Sequence, residues 1–274
     1  MIIKSGLFTL VLFFNFLSRG YSIGDQSSVG AREVSLGNAS VALISTFSAF
    51  HNQAAMALLK NFSVAVDYRQ PYLIEGYSEK SLAVVLPAVV SNFALSVHQK
   101  GIPGYNETHF GFAMAKTLGK RISAGIQFNY FLVGFPEQGS SRGTFFMEFG
   151  VLFQPSTDVT FGLHVFNPAH ASIESLNFKS DLPVSVTAGL ALKPSVNLLF
   201  VSDIVYSGDG PINIRMGIEY QFYDCFFLRG GVSGKPIRHS AGLGYKNRYF
   251  GVDFAIVHHE TLGYTPSISL SFIL

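Results

Sequence analysis

The stretch from Arg121 to Leu132 reads Arg-Ile-Ser-Ala-Gly-Ile-Gln-Phe-Asn-Tyr-Phe-Leu and decides the fold. One set of alternate side chains is apolar: Ile122, Ala124, Ile126, Phe128, Tyr130 and Leu132. The opposite set begins with Arg121, Ser123, Gly125, Gln127 and Asn129. Because successive strand side chains point to opposite faces, such alternation over about 9–11 residues indicates a strand with lipid on one face. Hydrocarbon tolerates no open sheet edge, so the sequence predicts an all-β, closed, antiparallel transmembrane barrel.

The composition agrees with a membrane barrel. Apolar residues make up 48% of the chain and charged residues 13%, roughly half the usual charged share of about 25%. Beyond the N-terminus, no apolar run reaches the ~18 residues that a spanning helix needs. Cys225 is the single cysteine, which excludes an intrachain disulfide and a cysteine metal site.

The first 22 residues have the pattern of a secretory signal peptide. Lys4 supplies the positive charge, Leu7 to Leu17 the apolar core, and Gly20 and Ser22 the small residues before cleavage. Without Lys4 and Arg19, seventeen basic residues balance seventeen acidic ones, so we expect no nucleic-acid partner. A signal peptide followed by a barrel predicts the outer membrane of a Gram-negative bacterium, in contact with outer-membrane lipid.

About fourteen segments fit the strand pattern within residues 61–274, the predicted barrel. They start near Asn61, Glu79, Asn92, Asn106, Lys120, Gly143, Asp158, Pro183, Val196, Ile212, Cys225, Arg238, Phe250 and Thr265. Six tight links alternate with seven longer ones, as expected when short turns face the periplasm and longer loops face outside. The even count lets the first strand pair with the last.

Charged residues within these strands are predicted to face the lumen. A basic residue on the lipid face would cost about 2–4 kcal/mol at mid-depth, whereas inside it can pair or stay hydrated. We interpret these charges as the ordinary lining of a barrel. The alternative interpretation is that they line a path for a solute. The set is Asp67, Arg69, Glu148, Asp203, Arg215, Glu219, Arg229 and Asp253.

Residues 23–60 do not fit the strand pattern and are rich in small side chains. A barrel of about fourteen strands is too wide for its own side chains to fill. We therefore predict that this segment is a hatch that fills the lumen from the periplasmic side, the alternative being a periplasmic tail. Arg32 and Glu33 are its adjacent charges, with Asp67, Asp203, Arg215 and Glu219 as possible partners on the wall.

The hatch motif is also where the chain resembles a known family. Its residues are Gly30, Ala31, Arg32, Gly37, Asn52 and Ala54. Gly-Ala-Arg with a later Leu-Gly, followed by Asn52-Gln53-Ala54, resembles the N-terminal signature of the FadL-type superfamily and, within it, the PorV/PorQ family of Bacteroidetes. Gln53 stands where that signature usually has proline.

The resemblance implies a 14-stranded barrel with an N-terminal hatch and one of two functions. The first is a type IX secretion accessory that binds partner or cargo proteins, from the secretion system or the cell surface. The alternative is a FadL-type channel in which a hydrophobic solute enters from outside and leaves through the wall. Inward positions are mostly serine, threonine, glycine and charge, which weighs against a channel. The oligomeric state stays open.

The histidines and serines do not suggest catalysis, and we predict neither enzymatic activity nor a cofactor or metal site. His239 and Ser240 are adjacent in a strand, so they face opposite sides and cannot form a dyad. The same alternation separates His258 from His259. A further inward set lies on three different strands, and we expect its members to stay apart: His98, His109 and His164.

Overall fold

The computed structural model describes residues 28–136, 139–175, 178–208 and 210–274. The predicted signal peptide and residues 23–27 of the predicted hatch lie outside them. In chain order the strands are β1 Ser63–Arg69, β2 Ser78–Leu86, β3 Asn92–Ile102, β4 Tyr105–Thr117, β5 Ile122–Phe135, β6 Ser140–Phe153, β7 Val159–Phe166, β8 Ser172–Ser175, β9 Phe178–Asp181, β10 Ser185–Ser195, β11 Leu198–Ser207, β12 Asn213–Tyr223, β13 Phe226–Ser233, β14 Arg238–Lys246, β15 Phe250–His259 and β16 Gly263–Ile273.

Within the described residues, all strands except β8 and β9 form one closed, fourteen-stranded antiparallel barrel. The barrel closes where β1 pairs with β16, so that Asp67 lies opposite Ser269 on one side and Ser81 of β2 on the other. The predicted barrel is confirmed, and each predicted strand start lies within about three residues of the observed one.

The exposed fraction of the side chains alternates along the strands, as the alternation of apolar and polar residues predicts. On β5, Ser123, Gln127 and Asn129 are buried, whereas Ile122 and Phe128 are 43% and 52% exposed on the outer face. The outer face is the one that lipid covers in a transmembrane barrel. Among the described helices, none is both long and apolar enough to span a membrane.

The link after β7 contains structure that the sequence did not indicate. Residues 167–182 were predicted to be a plain loop, but β8 and β9 form a separate two-stranded sheet there. Each strand has four residues, far fewer than the about 9–11 residues of a spanning strand, so the spanning pattern could not find them. This hairpin packs against the inner side of the barrel, where Ile173 and Leu182 join a buried cluster with Phe146.

Residues 28–60, called the N-terminal segment below, contain short helices that lie against inward-facing wall positions. They are α1 Ala31–Ser35, α2 Ser48–His51 and a 3₁₀ helix Gln53–Leu58; another 3₁₀ helix, Pro71–Leu73, follows β1. Helix α1 contacts β13 to β16, and the 3₁₀ helix Gln53–Leu58 contacts β3 to β6. The segment therefore reaches across the barrel from one side of the wall to the other.

Candidate functional site

The N-terminal segment lies between a cavity at each end of the lumen. The outer cavity, at the end with the longer links, has a volume of about 510 Å³ and includes Tyr72, Arg238 and the segment residue Asn38 in its lining. The inner cavity, at the end with the tight turns, has a volume of about 460 Å³ and includes Lys193, Asn197 and the segment residue Ile44. The same segment thus forms the floor of one cavity and the ceiling of the other.

Glycines on the inner wall allow the main chain of the segment to approach closely. Gly217 of β12 lies opposite Gly231 of β13. A Cβ on Gly217 would lie 2.5 Å from the Leu36 carbonyl oxygen, and one on Gly231 would lie 2.1 Å from the Gly37 nitrogen. Other inward glycines also lie against the segment: Gly125 and Gly162 face its main chain, and Gly150, Gly189 and Gly242 face its side chains. Any side chain at these positions would push the segment off the wall.

Polar side chains of the wall bind the main chain of the segment. The Asp203 carboxylate accepts hydrogen bonds from the amides of Ser40 and Val41 at 2.7 and 3.1 Å. The Arg215 guanidinium donates to the carbonyl of Asn38 at 3.2 Å. These bonds satisfy buried backbone groups that would otherwise lose water without replacement.

An ion-pair network joins the segment to the wall through Arg32. Its guanidinium makes paired hydrogen bonds to the Glu219 carboxylate, both at 2.8 Å. Arg229 donates to the same carboxylate at 2.6 Å and to Asp253 at 2.7 Å. Of the wall residues considered as partners for Arg32 and Glu33, Glu219 forms an ion pair with Arg32.

Glu148 is a second junction between segment and wall. It is 4% exposed and accepts hydrogen bonds from Gln53 at 2.8 Å and Asn129 at 2.9 Å. The His164 ring contacts the same carboxylate at 2.9 Å. Gln53 therefore has a wall partner that a proline at this position could not have.

The remaining lumen charges lie beside the seam between β1 and β16. Asp67 accepts from the hydroxyls of Ser267 and Ser269 at 3.2 and 2.8 Å. Arg69 pairs with Glu79 at 3.3 Å and also donates to the carbonyl of Ser28 in the segment.

The hatch-motif residues shape the segment itself. Gly30 has a φ of 95°, and a Cβ there would meet the Glu33 carboxylate. The Asn52 side chain caps the 3₁₀ helix by accepting from the Ala54 amide at 3.2 Å, and it donates to Val41 at 2.8 Å and to the wall carbonyl of Val151 at 3.1 Å. The amide of Ala31 donates to the Ser269 hydroxyl.

Burial perturbs the titratable groups inside the segment. It raises the pKa of the Glu33 carboxyl above its ordinary value, against the opposing effects of Arg32 and the Ser45 hydroxyl. It lowers the pKa of His51 to about 4, and the His51 Nε2 lies 2.7 Å from the Val29 carbonyl oxygen. His51 is therefore neutral at pH 7 in the folded protein.

An apolar cluster covers part of the inner wall toward the outer end of the barrel. Phe131 and Val133 of β5, Phe146 of β6 and Phe166 of β7 are at most 3% exposed and pack with Ile173 of the β8–β9 hairpin. This corrects the expectation that inward positions are mainly small or polar. The polar description holds for most of the lumen but fails on β5 to β7.

The outer wall carries an apolar groove of about 470 Å³. Its lining consists of Leu190, Leu192, Phe200, Val201, Ser202, Met216, Gly217, Ile218, Gly230, Gly231 and Val232. Gly217 and Gly231 contact Leu36 or Gly37 on the luminal side. At this position only the backbone of the wall separates the groove from the N-terminal segment.

Known structures share this arrangement of strands. The toluene transporter TodX of Pseudomonas putida matches with a TM-score of 0.68 and 11% identity, over 91% of this chain and 99% of that chain. The toluene transporter TbuX of Ralstonia pickettii gives 0.64 and 12% over 91% and 98%, and a FadL homologue of Pseudomonas aeruginosa gives 0.65 and 13% over 92% and 99%. The chain has the FadL-type fold.

No family model matches the sequence, and no curated protein is significantly similar to it. The shared fold agrees with the resemblance to the FadL-type superfamily and with the outer-membrane location, and both stay predictions. The narrower resemblance to PorV/PorQ stays a prediction.

The FadL-type barrel places the histidines differently from the sequence expectation. His98 and His109 are directly opposite each other on β3 and β4, with ring centroids 6.2 Å apart. Only His164 stays apart, bound to Glu148. The missed signal is the pairing register: both histidines lie on inward faces of neighbouring strands, four residues from the Ile102 and Tyr105 pair that closes the hairpin.

His239 and Ser240 lie on opposite faces, as predicted from alternation. Ser240 donates to the Ser35 carbonyl inside the barrel at 3.0 Å, whereas His239 is exposed. His259 accepts amide hydrogen bonds from Thr261 and Leu262. In the described part of the chain, no group of three or more histidine, cysteine, aspartate or glutamate residues could hold a metal ion.

Proposed function

We propose that this protein is an outer-membrane channel for small hydrophobic solutes. The apolar cluster around Phe131, Phe146 and Phe166 carries the proposal, because it adds a nonpolar surface to a lumen that is otherwise polar. An apolar solute that took the place of Ile173 on this cluster would be stabilised by roughly 25 cal/mol per Å² of its own surface removed from water. A concave apolar surface with a few polar groups nearby is typical of small-molecule sites.

The similar structures support the same proposal. TodX and TbuX are named as toluene transporters, and their fold is shared over nearly the whole chain. The FadL-type channel was the alternative function from the sequence, and the comparisons favour it over the secretion accessory. The secretion role stays a prediction.

In this proposal the N-terminal segment acts as a hatch. It lies between the outer and inner cavities and is held by Asp203, Glu219 and Glu148. A solute from outside would meet the apolar cluster before the segment. The hatch would prevent free passage of water and ions between the cavities.

The outer groove suggests where the solute leaves. An apolar molecule gains nothing by entering the aqueous periplasm, but it is stabilised in lipid. The groove at Met216, Ile218 and Val232 faces lipid, and Gly230 contributes no side chain to it.

Gly230→Leu would fill the groove without touching the segment, and we expect it to slow solute uptake while Gly230→Ala does not. Equal uptake by both variants would exclude this exit.

Uptake of radiolabelled toluene tests the proposed function. Cells that produce the protein in their outer membrane should take up toluene faster than cells with an empty vector, with sucrose uptake unchanged. Phe146→Ser should remove most of the increase because it makes the apolar cluster polar. Phe149→Ser is the matched control, because Phe149 lies on the outer face of the same strand and is 40% exposed. Equal uptake with and without the protein would contradict the proposal.

A further inference from the structure

Aromatic rings form a continuous row along the inner wall from the N-terminal segment to β7. The His98 ring lies 6.4 Å from Phe50 and 6.2 Å from His109, measured between centroids. The His109 ring lies 4.3 Å from Phe131 and 6.0 Å from Phe146, and Phe146 lies 4.9 Å from Phe166. Two imidazoles thus lie between Phe50 and the phenylalanines of β5 to β7, on an otherwise hydrocarbon surface that is here called the aromatic row.

The imidazoles have unused hydrogen-bonding capacity. The His98 Nδ1 is bonded to the Ser81 hydroxyl at 2.9 Å. The Nε2 atoms of His98 and His109 are both buried, and neither has a hydrogen-bond partner in the described part of the chain. Because a buried polar atom without a partner is unfavourable, a ligand that supplies the missing bonds would be stabilised.

A side chain of the protein already occupies the hydrocarbon end of the row. Ile173 of the β8–β9 hairpin is 1% exposed and packs with Phe131, Phe146 and Phe166. The hairpin is anchored at its base, where the Asn167 amide donates to the Leu182 carbonyl at 3.0 Å and its oxygen accepts from the Ala171 amide at 2.9 Å. Ile173 lies two residues beyond Ala171 and pairs with Ser180, so a ligand that takes its place has to displace the Ile173 side chain while the hairpin base stays bonded.

We propose that the aromatic row binds small phenols, with the aromatic ring in the place of Ile173 and the hydroxyl against His98 and His109. This inference rests on the proposed function and specifies its solute. The ring fits an apolar surface of aromatic side chains, which favours edge-to-face and offset contacts. The hydroxyl supplies the polar partner that the two imidazoles lack.

A hydroxyl fits the histidine pair better than other polar groups. A neutral imidazole has one donor and one acceptor nitrogen. Either partner of the bond between the Ser81 hydroxyl and the His98 Nδ1 can donate, so the His98 Nε2 can serve as donor or acceptor, and the His109 Nε2 can take the opposite role. A hydroxyl can accept from one and donate to the other. An ionised carboxylate accepts only, and the basic residues near the outer end, Arg69 and Lys100, are already paired with Glu79 and Glu107.

Equilibrium binding of 4-methylphenol and toluene to the purified full-length protein tests the inference. The two probes have the same ring and methyl group and differ only in the hydroxyl. We expect 4-methylphenol to bind about tenfold more tightly, as one or two additional hydrogen bonds would give. His109→Phe and, independently, His98→Phe should bring the ratio of the two dissociation constants close to one. Phe110→Leu, which changes a lipid-facing neighbour 44% exposed, should leave the ratio as in the unsubstituted protein.

Ile173→Ala tests the position of the site. It should tighten binding of both probes several-fold, because the solute would no longer compete with the isoleucine side chain. Unchanged affinity in this variant would overturn the location, and equal affinity of the two probes for the unsubstituted protein would overturn the phenol preference. Binding of toluene without a preference leaves the proposed channel intact. Binding of neither probe, even to Ile173→Ala, would contradict both the inference and the proposed function.

Discussion

Arg32 shares the Glu219 carboxylate with Arg229. Replacing Arg32 therefore does not leave the charge of Glu219 unpaired. Arg32→Ala removes two hydrogen bonds at 2.8 Å but leaves Glu219 paired with Arg229. We therefore expect docking of the segment to weaken by about 1–3 kcal/mol, less than the 3–5 kcal/mol typical of an uncompensated buried charge. Faster cleavage of the segment by a protease added to the purified protein would show this.

Arg248 provides the control for that experiment. It lies in the exposed turn between β14 and β15, over the ring of Tyr249, and Arg248→Ala should leave the cleavage rate unchanged. An Arg32→Ala protein as resistant as the unsubstituted one would show that the ion pair contributes nothing to docking.

His51 predicts a loss of docking in acid. Its pKa is lowered from 6.5 to about 4 in the folded protein, so the undocked segment binds a proton more readily. The stabilisation is complete above about pH 6.5 and declines as the pH falls toward 4, by up to roughly 3 kcal/mol. Cleavage of the segment should therefore accelerate between pH 7 and pH 5. His51→Gln, which keeps a donor for Val29 but does not titrate, should reduce that acceleration.

Glu33 has the opposite effect on the pH dependence of docking. A Glu33→Gln variant therefore separates the contribution of Glu33 from that of His51. Its pKa is raised in the folded protein, so its contribution favours docking at low pH and is lost as the pH rises through that raised value. Glu33→Gln should therefore increase the acid sensitivity attributed to His51. If it lessened that sensitivity instead, the assignment to His51 would be wrong.

At the scale of elements, the segment backbone lies close to the wall where two glycines pair across β12 and β13. Gly231→Ala places a Cβ 2.1 Å from the Gly37 nitrogen, so the segment has to move away from the wall. We expect rapid cleavage of the segment in this variant while the barrel still shows the heat-dependent gel migration of a folded barrel. The energetic cost is of the order of that for overpacking a core, about 1–3 kcal/mol.

Gly230→Ala is the matched control, one residue away on the opposite face. Its Cβ would have the Ser240 carbonyl oxygen, 4.0 Å away, as its nearest neighbour, so the segment should stay protected. Similar cleavage of both variants would mean that loss of glycine itself, rather than contact with the segment, is responsible.

The elements were predictable to different degrees. Strands such as β5 follow from the dyad repeat because one face meets lipid and the other meets polar groups. The apolar cluster was missed because Phe131 lies between Tyr130 and Leu132, where both faces are apolar and alternation disappears. The sequence Phe145-Phe146-Met147 has the same property. Such interruptions near the outer end of a strand are the signal that could have revealed the cluster.

At the scale of the whole molecule, the lumen charges were predictable but their partners were not. Alternation indicates that Glu219 and Asp203 point inward. It does not indicate which of them meets Arg32, because that pair is separated by 187 positions in the chain and depends on how the segment crosses the lumen. Closure of the barrel follows from the even strand count, whereas the path of the segment requires the structure.

Deleting residues 24–58 while keeping the predicted signal peptide tests the segment as a hatch. The barrel closes through pairing of β1 with β16 without these residues, so we expect a folded, heat-modifiable barrel. Its conductance in planar lipid bilayers should exceed that of the full-length protein, because the outer and inner cavities would join. Identical conductance would leave the segment as a tail rather than a hatch.

The close fit between wall glycines and segment backbone has a consequence for how such proteins diverge. Gly217 and Gly231 meet the main chain at Leu36 and Gly37, and Asp203 binds the amides of Ser40 and Val41. Main-chain groups are the same in every residue except proline. Many substitutions in the segment therefore preserve these contacts. Natural selection that maintains the contacts then leaves little trace in the amino-acid sequence of the segment. Ancestry among barrels built in this way is better sought in the spacing of inward glycines than in an alignment of side chains.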